Sequence, residues 1–140
     1  MDALYQFIEV ILQVGKNAFK QASSQPENLA TPMEIVRKLQ EYEGVVHRVL
    51  LDLSMGRGVE MDSNFLIPYI EAIKMHLPDM GIVVAGGLGP YTMRLAEPIL
   101  KMYPGTSIDA QGKLRPSGDA LDPLDMGLCY DYIVEALKLV

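Results

Sequence analysis

Short apolar runs alternate with amphipathic segments along this chain of 140 residues. Four runs, at positions 10–14, 46–53, 82–85 and 107–110, are short and lack a regular alternation with polar residues. Such runs are typical of strands that are covered on both faces. The pattern therefore predicts four buried strands.

Apolar residues at helical spacing predict helices between these strands. Segment 31–42 begins with Thr31 as a helix N-cap, Pro32 at the first helical position and Glu34 three residues after the cap. Further helices are predicted at 63–76, from Pro90 to about Met102 and from Asp122 to the C-terminus, with a short leading helix near 3–7. In the last of these, Leu128, Ile133, Val134 and Leu137 are expected to face inward.

Strands that alternate with helices four times predict one α/β domain, residues 1–140, built on a parallel sheet. In such folds the chemistry gathers at the carboxyl ends of the strands. The residues that follow each strand are therefore the candidates for a functional site.

Composition narrows the class of protein. The net charge is −6 and no cluster of Lys or Arg is found, which disfavours nucleic acid as the main partner. No apolar run approaches the roughly 20 residues of a membrane span. A single cysteine excludes a disulfide framework and favours the cytoplasm. No spacing typical of metal ligands is present, and no cofactor is predicted.

Charged residues stand at the predicted strand ends. Asp52 ends the second strand and is the best candidate for a general acid, although a carboxylate there can equally cap the following loop through backbone N–H groups. Arg57 is a candidate partner for Asp52 or for a bound anion. Asp109, on the fourth strand, is expected to be a hydrogen-bonded structural carboxylate. Lys16, after the first strand, is a weaker candidate for contact with an acidic substrate.

Three glycines, Gly86, Gly87 and Gly89, follow the third strand. Glycine permits a tight turn and close approach of a ligand to the backbone. Free N–H groups and the positive end of a following helix suit a phosphate group, so the cluster predicts a phosphate site. A tight turn without any ligand explains the same residues equally well.

Three motifs in order, LLDLSMGRG at 50–58, VVAGGLGPYTM at 83–93 and SIDAQGKLR at 107–115, resemble the C-terminal half of the phosphoribosylanthranilate isomerase family. The resemblance covers about residues 9–140. It implies a parallel (βα)4 half of a TIM-type barrel. Because four strands cannot close a barrel, we expect completion by dimerisation or by a partner chain, or else a truncated copy of a longer protein. A flavodoxin-like open sheet is the alternative fold.

The resemblance also implies a function, namely isomerisation of a phosphorylated sugar derivative in tryptophan biosynthesis. Asp52 matches the general acid that protonates the ribose ring oxygen. The phosphate- and substrate-binding positions that the sequence and the resemblance suggest are Arg57, Gly86, Gly87, Gly89, Asp109 and Gly112.

The chain departs from the family at several of these positions. Gly89 stands in place of an asparagine, and Ala110 and Gln111 stand in place of serines. The family's general base, a cysteine at the end of its first strand, has no counterpart, and Cys129 lies in a late helix. The expectation is therefore a phosphorylated-sugar isomerase with half of its acid–base pair missing, or a non-catalytic phosphate-binding or interaction module.

Overall fold

The computed structural model describes residues 8–54 and 59–140, which form a four-stranded parallel sheet with helices between the strands. The strands lie side by side in chain order, and each pairs in parallel with the next. They are β1 (Ile11–Gly15), β2 (Arg48–Asp52), β3 (Gly81–Ala85) and β4 (Ser107–Asp109).

Five α-helices are found in the described residues. They are α1 (Lys16–Gln21), α2 (Pro32–Gln40), α3 (Ser63–His76), α4 (Glu97–Met102) and α5 (Met126–Leu137). Short 3-10 turns at Met93–Leu95 and Gly112–Leu114 follow the third and fourth strands.

The hydrophobic core lies on one face of the sheet. Val14, Leu51 and Val84 occupy one row of the strand register and all are buried. Residues that lie side by side in a parallel sheet point to the same face, and these join a single apolar cluster with residues from α1 to α4. Strands in unbroken order, with their helices on one face, favour the half-barrel, because a flavodoxin-like sheet reverses its strand order and carries helices on both faces.

The opposite face of the sheet is mixed rather than apolar. The Arg48 side chain lies across β3 at Gly81, where an added Cβ would come within 2.7 Å of the arginine Cγ. Its guanidinium contacts Ser107 on β4 at 3.4 Å and forms an ion pair with Glu9. Glycine at position 81 thus allows one side chain to span three strands.

Several predicted elements are confirmed. Thr31 caps α2 in a reciprocal capping box with Glu34, and the helix predicted at 63–76 is α3. The α1 helix was not predicted. The leading helix predicted near 3–7 lies outside the described residues.

Two helix starts were predicted wrongly. The helix after β3 begins at Glu97 rather than at Pro90, because a turn and a 3-10 segment come first. Pro98 lies in the first turn of this helix, where a backbone N–H would have no partner within the helix, so its absence removes no hydrogen bond. The last helix begins at Met126, with Asp125 as its N-cap. Ile133 and Leu137 were expected to face inward but are exposed, and Tyr132 packs on the core instead.

No helix among residues 8–54 and 59–140 is long and apolar enough to cross a lipid bilayer.

Candidate functional site

A narrow pocket opens at the carboxyl ends of β2, β3 and β4, the edge where parallel α/β sheets bind ligands. Three segments line it, each following one of these strands. The lining residues are Asp52, Ser54, Ala85, Gly86, Gly87, Leu88, Asp109, Ala110, Gln111, Gly112 and Lys113.

Asp52 forms one wall and is only 5% exposed. One carboxylate oxygen, Oδ1, accepts hydrogen bonds from the backbone N–H of Ser54 at 2.8 Å and from the Ser54 hydroxyl at 2.6 Å. The other, Oδ2, accepts a longer bond of 3.4 Å from the Gln13 amide. Asp52 therefore does cap the loop that follows β2, as the alternative interpretation of the sequence proposed, and it faces the pocket as well.

Asp109 forms the opposite wall. Asp52, Ala85 and Asp109 occupy one row of the register across three strands, so the two carboxyl groups flank the small Ala85 side chain. Burial raises the pKa of Asp109 above its usual range, and the negative charge of Asp52 raises it further. The negative charge of Asp52 thus acts on Asp109 across β3.

Tyr132, on α5, is the third polar group of this cluster. Its hydroxyl oxygen is buried and has no hydrogen-bond partner among the described residues. Burial raises the pKa of Tyr132, and the nearby charge of Asp109 raises it further. The phenol therefore stays protonated and retains a donor near Asp109.

The glycine loop after β3 forms the floor of the pocket. Gly86 has a φ of 134° and Gly87 a φ of 61°, both in the region that favours glycine. The Gly86 carbonyl accepts a hydrogen bond from the Met61 N–H at 2.9 Å, and the Gly87 carbonyl accepts one from the Thr92 hydroxyl at 2.6 Å. Because each of these carbonyls already accepts a bond from a protein donor, the N–H groups are the main means by which the loop can contact a ligand.

The segment after β4 supplies the positive charge. Gly112 and Lys113 line the pocket, and Lys113 also packs against the glycine loop. A Cβ added at Gly89 would lie 2.6 Å from the Lys113 Cβ. Gly89, predicted as a binding position, is not among the lining residues, and its small size lets the two loops come close together.

The structure brings Asp52, Gly86, Gly87, Asp109 and Gly112 together as predicted. Arg57 lies outside the described residues, and Lys16 is exposed and not part of the lining. The expected helix N-terminus is not at the pocket, because α4 begins ten residues after Gly87.

Sequence reasoning missed several members of the site, namely Gln13, Ser54, Lys113 and Tyr132. The contact of Ser54 with Asp52 was predictable from the sequence, because an aspartate carboxylate often accepts a hydrogen bond from the backbone N–H two residues later. Nothing in the chain's pattern connects Tyr132 with Asp109.

The space enclosed by the pocket is small. The pocket encloses about 20 Å³, roughly what one water molecule requires. A ligand larger than water would therefore place one group inside and lie across the mouth.

Comparison of the chain with protein-family models, curated proteins and solved structures finds no match.

Proposed function

We propose that this chain binds a small phosphorylated sugar derivative across the pocket mouth and moves protons on it with the carboxyl pair Asp52–Asp109. The observation that supports this most is the placement of two interacting carboxyl groups on either side of a glycine loop, at the ligand-binding edge of a parallel sheet. Two carboxyl groups placed close together are typical of acid–base sites.

The direction of the pKa shift assigns the two roles. Asp109, whose pKa is raised, donates a proton to the ring oxygen of an N-linked sugar as the C1′–O bond breaks and the nitrogen lone pair forms a C1′=N bond. In the following step Asp52, whose negative charge contributes to this shift, accepts the C2′ proton. The C2′–H electron pair forms a C1′=C2′ bond as the C1′=N pair returns to nitrogen, and the resulting enol tautomerises to the ketose. This assignment reverses the role that the family resemblance implied for Asp52, and it supplies a base where the family's cysteine is missing.

The phosphate group would lie against Lys113 and the glycine loop. Lys113 carries the positive charge there, and the glycine loop contributes backbone N–H groups. A phosphate dianion placed beside Asp52 and Asp109 would be repelled, so this arrangement requires the sugar to hold the phosphate away from the carboxyl pair.

A second function is favoured by the size of the pocket. With room for about one water molecule, the site can hold a phosphate oxygen at its rim without enclosing the sugar carbons. The chain would then be a non-catalytic phosphate-binding module. Location in the cytoplasm and a role in tryptophan biosynthesis stay predictions from the sequence under either function.

Calorimetric titration tests binding. Ribose 5-phosphate should bind, and ribose should not, because the phosphate supplies the charge that Lys113 recognises. Lys113→Gln, which keeps the packing of the stem on Gly89, should weaken binding of ribose 5-phosphate by about 10-fold. Lys20→Gln, at an exposed position on α1, is the matched control and should bind like the wild type.

Turnover of phosphoribosylanthranilate separates the two functions. Turnover that is abolished by Asp109→Asn and by Asp52→Asn, with ribose 5-phosphate still bound, supports the acid–base role. Binding without turnover in the wild type leaves the binding module as the function. Equal affinity for ribose and ribose 5-phosphate, or no binding of either, contradicts both.

A further inference from the structure

The last helix exposes a continuous apolar stripe. Met126, Tyr130, Ile133 and Leu137 recur at helical spacing and are 74%, 68%, 55% and 64% exposed. Contiguous apolar surface of this kind marks an interaction site more often than scattered single residues do. We call these four residues the α5 stripe.

The α5 stripe lies on the flank of the helix that faces away from the preceding elements. At about 100° per residue, Tyr132 defines the inner face, because it packs on the core. Asp131 and Glu135 lie on the flank that adjoins Arg94, in the 3-10 turn after β3. The α5 stripe is on the opposite flank, beyond β4, where the helix of a fifth strand would lie.

The other end of the sheet carries a matching depression. A shallow, mostly apolar groove of about 150 Å³ lies over β1. Residues from β1, α1, α2 and the turns that follow these helices line it, among them Leu12, Ala18, Gln21, Lys38, Leu39 and Tyr42. We call this the β1 groove.

Both outer strands have one unpaired edge. Within the described sheet, β1 pairs only with β2, and β4 pairs only with β3. The β1 sequence, ILQVG, contains no charged residue and no proline, the usual features that protect an edge strand from pairing with another chain. A strand edge and an apolar surface thus occur together at each end of the sheet.

We propose that a second copy of this chain covers both ends, with β4 of each copy beside β1 of the other and each α5 stripe seated in the partner's β1 groove. A two-fold axis parallel to the strands keeps the pairing parallel and makes two identical junctions. The result is a closed sheet of eight strands, the number at which side chains fill the interior of a barrel. This inference does not depend on the chemistry of the pocket.

The apolar surface available at the two ends is close to the minimum that a specific interface buries. Each aliphatic side chain buries on the order of 60–120 Å² of apolar surface when fully covered. Four stripe residues and the groove facing them, at two junctions, therefore bury about 1,000 Å² before strand pairing is counted, which reaches the lower range of specific interfaces. The same closure brings Lys16 of the second copy to the β4 end of the pocket mouth.

Sedimentation velocity tests the assembly and its geometry. The wild type should sediment as a species of twice the 15.5 kDa chain mass. Ile133→Glu or Leu137→Glu in the α5 stripe, and Gln21→Lys in the β1 groove, should each raise the dissociation constant at least about 10-fold. Met75→Glu, at an exposed position on α3, is the matched control and should leave it unchanged. Circular dichroism checks that each variant is folded.

Mixing the variants identifies which surfaces meet. A mixed dimer of Ile133→Glu with Gln21→Lys has one wild-type junction and one junction where glutamate faces lysine, so the mixture should dimerise more tightly than either variant alone. A wild-type monomer, or an open series of larger masses, would overturn the proposal. Loss of the dimer in Ile133→Glu with no effect of Gln21→Lys would also overturn it, because α5 would then be packing on α5.

Discussion

Asp109 shows how a carboxyl group in a pocket can reduce the stability of the fold. Its raised pKa means that the folded chain holds this proton more tightly than the unfolded chain does. The resulting contribution to stability is complete below the unfolded pKa of about 3.9 and is lost as the pH rises through the folded pKa. As the pH rises above the unfolded pKa, the surroundings of this carboxyl group therefore make the fold less stable.

Asp109→Asn should remove this loss of stability. We expect the free energy of unfolding of the variant, relative to the wild type, to increase from about pH 3 to about pH 7. Urea denaturation of both proteins at the two pH values measures this difference. A difference that is constant with pH would show that Asp109 is as easily ionised in the folded chain as in the unfolded one.

Gly86 is the residue at which the shape of the loop depends most on glycine. Its φ of 134° is strained for any L side chain, and an added Cβ would come within 3.3 Å of the Met61 Cβ. Gly44 also has a positive φ, of 84°, but an added Cβ would meet nothing within 4 Å. The pair therefore separates backbone strain from crowding.

Gly86→Ala should destabilise the chain by about 2–3 kcal/mol and Gly44→Ala by about 1 kcal/mol. Thermal unfolding of the two variants, with the free energies compared at one temperature, checks the order. Equal losses would mean that Met61 moves aside and that the fit of the glycine loop is less strict than the structure indicates.

At the scale of the element, the start of α2 is held by reciprocal hydrogen bonds. Glu34 accepts bonds from the N–H groups of Ser24 at 2.8 Å and Thr31 at 2.7 Å, and the Thr31 hydroxyl accepts one from the Glu34 N–H. Hydrogen bonding, from Ser24 first and then from Thr31, lowers the pKa of Glu34 to about 2. The carboxylate thus ties the loop after α1 to the helix.

The lowered pKa of Glu34 stabilises the fold at pH values above the pKa of about 4.3 that glutamate has in the unfolded chain. This contribution is lost as the pH falls through about 2. Glu34→Gln should therefore be less stable than the wild type at neutral pH, and the difference should shrink between about pH 4 and about pH 2. Urea denaturation across this range is the measurement. Thr31→Ser, which keeps the cap, should follow the wild type, and a Glu34→Gln deficit that persists at about pH 2 would contradict the account.

Elements with a local cause were predictable from the sequence. Thr31, Pro32 and Glu34 encode the start of α2 within four residues, so its N-cap was correct. The start of α4 was missed because Pro90 and Pro98 both suit a first helical turn. Which of the two begins the helix depends on how the turn between them packs. The α1 helix is too short for its periodicity to show.

At the scale of the whole molecule, the sheet was predictable because its strands are short apolar runs separated by helices. The site was predictable only where it follows a strand end, as at Asp52 and Gly86. The proximity of Tyr132 to Asp109 depends on how α5 packs, and the exposure of Ile133 depends on what lies beyond β4. Neither is a property of the local sequence.

The central claim is that the carboxyl edge of β2, β3 and β4 binds a phosphorylated sugar. Titration of ¹⁵N-labelled protein with ribose 5-phosphate, followed by amide NMR, tests it most directly. Saturable shifts at Gly86, Gly87, Leu88, Gly112 and Lys113, with none at Arg48 or Gly81 at the opposite edge of the sheet, are the predicted result. No saturable shift, or shifts confined to residues outside the pocket, would contradict the claim.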